Sequence, residues 1–465
     1  MSGSAQRTAA EPLIELDIES LDLEANGVAR HDGKVVFVRG ALPGERVLAR
    51  LVRRKPRFDV AQTEQVLRAS ASRVVPRCAH FGVCGGCSMQ HVDAPTQLAI
   101  KQRALEDQLQ HLGDVRPDML LRPIAGPAWG YRFRARLSVR DVPKKGGVLV
   151  GFHERGSSYV ADMRECHVLS PRVAGLLLPL RALVESLALR QRIPQIEVAQ
   201  GSEVLALVFR VLDPPGREDR TRLEAFALEH RLELWLQPKG PDSIVLLCDG
   251  IAPAVAGTPR SRLAYELSES AIRMPFAPTD FTQVNHAINE TLVARALRLL
   301  DPQPADRVGD LFCGLGNFSL PLARRSAQVL GVEGSAPLVA RAAANAQTNG
   351  LGDRVRFEVA NLFEIDEARW AAFGRFDRLL IDPPREGALE VARRIAASPQ
   401  PIRRIVYVSC NPATLARDAG ILTHVGRYRL TAAGAVNMFP QTSHVESIAV
   451  FEPAEEALDA PAGAG

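Results

Sequence analysis

Short apolar, β-branched runs alternate with stretches of helical periodicity over the last third of the chain. Arg307-Val308-Gly309-Asp310-Leu311, Val329 to Glu333, Val355 to Val359, Asp377 to Ile381 and Arg404 to Ser409 read as strands. Strands alternating with helices over about 271–453 predict an α/β domain with an open, mainly parallel sheet and helices on both faces. Near the amino end the pattern differs. Ile14 to Ile18, Val35 to Val38 and Arg46 to Val52 are short alternating runs broken by turns at Asn26-Gly27, Asp32-Gly33 and Pro43-Gly44. That spacing predicts a small β-barrel over 13–68. Between them, 69–270 reads as a mixed α+β region. Residues 1–12 and 454–465 are polar or small and are expected to be disordered tails.

Composition adds bounds. A chain of 465 residues exceeds one core, so two or three domains are expected. With 46% hydrophobic and 24% charged residues it has the balance of a globular protein, and a net charge of +4 permits a nucleic-acid partner without requiring one. No signal-peptide core and no long apolar run is present, so a cytoplasmic, non-membrane protein is expected. Seven cysteines in a reducing compartment are expected to be thiols, ligands or nucleophiles. Basic residues concentrate at Arg50, Arg53, Arg54, Lys55 and Arg57. In Tyr131-Arg132-Phe133-Arg134-Ala135-Arg136, alternation puts three arginines on one face and Tyr131 and Phe133 on the other. A solvated or half-buried strand produces such patterns as readily as an RNA surface does.

The chemistry-bearing segments come next. Asp310-Leu311-Phe312-Cys313-Gly314-Leu315-Gly316-Asn317-Phe318 follows a strand and opens a helix, with Glu333 ending the next strand, 19 residues after Gly314. Glycines give tight turns and close approach of backbone to ligand, and the acid is placed for ribose hydroxyls. Ser319 stands where a dinucleotide fingerprint wants glycine, which favours S-adenosylmethionine over NAD. Asp382, in Asp382-Pro383-Pro384-Arg385, is placed for the same crevice. Cys410 closes an apolar strand and precedes Asn411-Pro412, a good helix cap and first residue. A thiol between a strand end and a helix start has the geometry of an activated nucleophile; a buried structural cysteine is the plainer alternative. His444 and Glu446 are base candidates, although spacing alone does not bring either to Cys410. Cys78-x5-Cys84-Gly85-Gly86-Cys87, with Cys166 as fourth ligand, predicts a [4Fe–4S] cluster rather than a zinc site of two close pairs. The C-x3-C-x2-C spacing of radical enzymes is absent. Cys248 and Cys313 are expected to be packing residues.

Together these residues resemble the RNA uracil-C5 methyltransferase family over nearly the whole chain. Ser409-Cys410-Asn411-Pro412 is similar to the family's nucleophile motif, and Gln441 to Glu446 to its closing Gln-Thr-x-His-x-Glu motif. The resemblance implies Cys410 as nucleophile and Glu446 as general base. Phe281-Thr282-Gln283-Val284-Asn285 implies that Gln283 contacts S-adenosylmethionine and that Phe281 lies near the target base. The other implied cofactor contacts are Phe312, Asn317, Glu333, Asn361 and Asp382. The first region is similar to a TRAM domain of OB type, and the four cysteines fall where the family binds [4Fe–4S]. The expected architecture is thus a Rossmann-like methyltransferase domain, an N-terminal TRAM barrel and a central iron–sulfur domain, with 93–122 packing on the catalytic domain. Having both barrel and cluster implies the branch acting on 23S rRNA, with Arg132, Arg134 and Arg136 as RNA contacts and no obligate protein partner. The alternatives are a tRNA or dual-site rRNA methyltransferase, or a non-catalytic iron–sulfur protein that binds RNA and senses S-adenosylmethionine.

Overall fold

A computed structural model describes residues 13–252 and 261–454. The tails expected at 1–12 and 454–465 lie outside the described residues, apart from Ala454. The chain forms two compact units. One holds residues up to Gln97 together with Gln441–Ser443; the other holds Leu98–Pro440 and the chain from His444.

In the first unit six strands form one sheet in the order Ile14–Asp17, Arg46–Arg54, Phe58–Arg68, Lys34–Arg39, Gly27–His31 and Ser20–Leu21. Alternate residues point inward, and Leu16, Ala29, Val36, Val38, Val47, Ala49 and Ala61 make the core. Three register shifts between Arg46–Arg54 and Phe58–Arg68 bend the long strands. The following loop is fastened to 441–443: Ser88 and Met89 N–H groups donate to Gln441 O, Gln97 Nε2 donates to Gln441 Oε1, and Gln97 Oε1 accepts from Gln441 N–H.

The second unit contains two large sheets. One runs Val245–Cys248, Glu233–Gln237, Leu205–Arg210, Gln195–Gln200, Arg134–Val142 and Gly147–Gly151, with the helices Leu177–Ser186 and Arg217–Glu229. The other has eight strands in the order Val355–Val359, Gln328–Glu333, Arg307–Leu311, Arg378–Ile381, Arg404–Ser409, Glu446–Pro453, Tyr428–Val436 and Met119–Leu120. The first five are parallel, and Glu446–Pro453 is inserted antiparallel between Arg404–Ser409 and Tyr428–Val436. The runs of the inner four are largely buried, as a doubly covered sheet requires, while the edge strand Val355–Val359 is buried only at Val355. Ala94–Gly113 is a 20-residue helix whose Leu105 and Leu109 enter the core beside Leu415, Ala416 and Ala433. At the end of the sheet away from the loops, Asp306 is buried and paired with Arg378 (2.5 Å) and Arg403 (2.6 Å).

The central iron–sulfur domain is not borne out. Among the described residues no three His, Cys, Asp or Glu side chains are grouped to hold a metal ion. Cys78, Cys84 and Cys87 lie in a run of turns, where Cys84 Sγ accepts from Gly86 N–H (3.4 Å), and Cys166 belongs to the other unit. Clustering along the chain brings the loop's cysteines into one neighbourhood; a ligand set needs sulfurs converging on one point at about 2.3 Å, which spacing does not supply.

Candidate active site

Loops at the carboxyl ends of the parallel strands enclose a cavity of about 500 Å³. That is the position where open α/β sheets bind ligands, and the volume suits a cofactor together with a base. Every sequence-predicted cofactor residue lines it: Gln283, Phe312, Asn317, Glu333, Asn361 and Asp382. So do Cys410, His444, Glu446 and Phe281.

The glycine turn forms one wall. Gly314 (φ +55°) and Gly316 (φ +95°) have left-handed backbones, and a Cβ on Gly314 would project into open space. Gly314 N–H donates to Glu333 Oε2 (3.1 Å), and Ser335 N–H to the other oxygen (3.0 Å), so the acid is fixed at its strand end. Phe312 is left-handed too (φ +62°), a strained state for a bulky residue, and its ring packs 5.5 Å from Phe363. Asn317 exchanges two hydrogen bonds with Asn289 and accepts from Tyr265 Oη (2.8 Å). An open turn, a fixed acid and an aromatic wall fit S-adenosylmethionine.

The opposite wall carries the reactive groups. Arg404–Ser409 pairs with Glu446–Pro453 in a register that sets Ser409 against Ser447. One step further along the same register puts Cys410 opposite Glu446. Directly opposed residues on an antiparallel pair share a face, with Cα atoms about 4.5–5.5 Å apart. Asn411 caps the helix Pro412–His424 through Ala413 N–H (3.1 Å), and its amide donates to Arg385 O (3.0 Å). The helix start therefore falls beside the thiol as the sequence predicts, while burial acts on the thiol in the opposite direction. Burial pushes Cys410 up to about 12, and the charges of Glu446 and Asp382 add to this while Arg385 opposes it. Glu446 is 4% exposed, and burial pushes it up to about 8; Asp382 acts the same way, and Arg385 and Lys101 pull it down. Burial raises Asp382 to about 7. His444 Nδ1 lies 3.2 Å from Arg385 Nη2, and burial lowers its pKa.

Phe281 is 69% exposed on the cavity rim. The three arginines do not line the cavity. Arg132 donates to Arg134 O (3.0 Å) and lies over the Phe152 ring; Arg134 donates to Pro278 O (2.9 Å) with burial lowering its pKa; Arg136 is exposed and paired with Glu197 (3.1 Å). Arg385, Tyr265, Phe363 and Phe439 also line the cavity, as does Cys313, and sequence reasoning gave none of them a site role. Arg385 was within reach of it, standing three residues after Asp382.

A parallel sheet with a glycine turn, a strand-end acid and a cavity over the strand ends is the Rossmann-like fold of S-adenosylmethionine methyltransferases. The solved structure of the Pyrococcus abyssi tRNA (uracil-54, C5)-methyltransferase in complex with S-adenosyl-L-homocysteine has that fold, with a TM-score of 0.69 and 22% identity, covering 94% of this chain and 100% of that one. The family model for tRNA (Uracil-5-)-methyltransferase matches residues 262–453, and the TRAM domain model matches 13–60. The 23S rRNA (uracil(1939)-C(5))-methyltransferase RlmD of Bordetella bronchiseptica is 60% identical over 444 residues, 95% of this chain and 94% of its own. That of Cupriavidus metallidurans is 58% identical over 462 residues, 97% of each. The chain belongs to the RNA (uracil-C5)-methyltransferase family. Among the described residues, no helix is long and apolar enough to cross a membrane.

Proposed function

We propose that this protein methylates C5 of a uridine in 23S rRNA, in the cytoplasm, with Cys410 as nucleophile and Glu446 as general base. The observation that carries the reading is the register of Arg404–Ser409 on Glu446–Pro453, which continues to Cys410 opposite Glu446 in a cavity shared with the glycine turn. Uracil C5 is a poor nucleophile. Cys410 gives up its thiol proton to solvent and adds to C6 as thiolate, forming an S–C6 bond and moving the ring's π electrons onto C5 and O4. S-adenosylmethionine, when bound, supplies an electrophilic methyl group to C5. Glu446 then takes the C5 proton, the C5–C6 double bond returns, and Cys410 leaves as thiolate. Arg385, on the cavity wall, faces the charge that develops in this sequence. Gln283, Phe312, Asn317, Glu333, Asn361 and Asp382 hold the cofactor. Phe281 stacks on the flipped base, which must leave its helix to reach the pocket. Arg132, Arg134 and Arg136, with the TRAM strands, bear on the RNA. The identity and length shared with the 23S rRNA enzymes favour rRNA over tRNA as substrate.

The test uses a 23S rRNA fragment carrying 5-fluorouridine, with S-adenosylmethionine. Fluorine cannot leave as a proton, so a methylated adduct on Cys410 should accumulate on a denaturing gel and map by peptide mass. An adduct with tRNA alone would overturn the substrate; no adduct with either would overturn the nucleophile.

A further inference from the structure

Glu446 follows a segment, 437–440, that is held from remote parts of the chain. Lys101 Nζ donates to Asn437 Oδ1 (2.7 Å) and Phe439 O (2.8 Å); Asn285 donates to Met438 O (3.4 Å); Tyr131 Oη donates to Pro440 O (2.8 Å). Lys101 stands out among these donors. It is 1% exposed and lies on Ala94–Gly113 in the helical stripe continued by Leu105 and Leu109, both in the core. A lysine in such a stripe carries a desolvation cost that two neutral oxygens offset only in part. A nearby carboxylate is the missing compensation.

We propose that Lys101 is a positioning residue for Glu446: its ammonium clamps the segment leading to the carboxylate and favours the ionised form that proton removal needs. The inference rests on Glu446 being the base. The charged groups around Glu446 are few. Asp382 and the Cys410 thiol face it from neighbouring strand ends, Arg385 and His444 from loops, and Lys101 from the helix. Arg385 has the larger effect of the two cations but is exposed on the rim, where solvent and ions screen it. Lys101 is fixed in the interior. Burial lowers Lys101 to about 7, and Glu446 acts against that. Each group therefore favours the charged form of the other, and the coupling acts in the neutral range. Once Glu446 has taken the C5 proton the lysine's counter-charge is gone, which favours passing the proton on and resetting the base.

Two measurements on the full chain test this. In single turnovers on the rRNA fragment, Lys101→Met is expected to move the acid limb of the elimination rate up by about one pH unit, a roughly tenfold loss near pH 7. Lys101→Arg should leave the limb in place. An unmoved limb in Lys101→Met overturns the proposal, because a mere strut would slow elimination alike at every pH. The second measurement needs no turnover and no Lys101 variant. With 13C-labelled lysine, Glu446→Gln is expected to move the Lys101 titration to lower pH, through loss of its counter-charge. A titration indifferent to that change overturns the pairing, whether or not Glu446 proves to be the base, so the two readings fail separately.

Discussion

Cys410 is held where its thiol resists ionisation, between buried carboxyl groups that share its preference for the neutral form. A cationic ligand entering such a pocket relieves all three groups at once. Glu446 carries the clearest consequence for stability. Its folded pKa is about 8 against an ordinary 4.5, so between those values the native state keeps a proton that the unfolded chain has released. Stability therefore falls as pH rises through that window and levels off above 8. Glu446→Gln removes the titration. It should match the wild type near pH 5 and melt at least about 2 °C higher at pH 8, read by thermal scans at the two pH values. At this scale the sequence singled out Cys410, Glu446, Asp382 and Gly314, which line one cavity, since strand ends and turn residues are written locally. It missed the direction of the Cys410 shift, which burial and two distant carboxylates decide. It also missed Lys101, whose partner Asn437 lies 336 residues away.

The elements that position the site differ in how plainly the sequence declares them. Four of the five parallel strands are largely buried, and all five were readable to within a residue or so. Tyr428–Val436 was not read as a strand. Its Ala-Ala-Gly-Ala content carries little β preference, and pairing with Glu446–Pro453 makes it one. The helix Pro412–His424 is declared by its cap. Asn411 does double duty there, capping the helix and tying the Arg385 backbone to the loop that carries Cys410. Asn411→Ala should cost about 1 kcal/mol of stability in denaturant unfolding. It should also slow adduct formation on 5-fluorouridine RNA more than that loss explains, because Arg385 is released.

For the whole molecule, the TRAM unit offers the simplest electrostatic test. Arg53 and Arg57 are exposed at and just beyond the end of Arg46–Arg54. Replacing both by alanine should weaken RNA binding regardless of sequence, lower the slope of log affinity against log salt by about 1–2, and leave S-adenosylmethionine binding unchanged. Titrating salt in a binding assay reads the slope directly. The division of the chain into β-rich start and α/β end was legible from periodicity; the cysteine-rich stretch misled, because nearness in sequence was taken for convergence in space. The strand order has one further effect. Glu446–Pro453 is the last described strand to be synthesised, yet it sits inside the sheet between two earlier ones. While the chain is still leaving the ribosome, the strand that ends beside Cys410 is a raw edge, with Glu446 not yet opposite it. Because that last strand closes the sheet beside the one ending next to Cys410, the pocket that holds Cys410 and Glu446 forms only after both have left the ribosome.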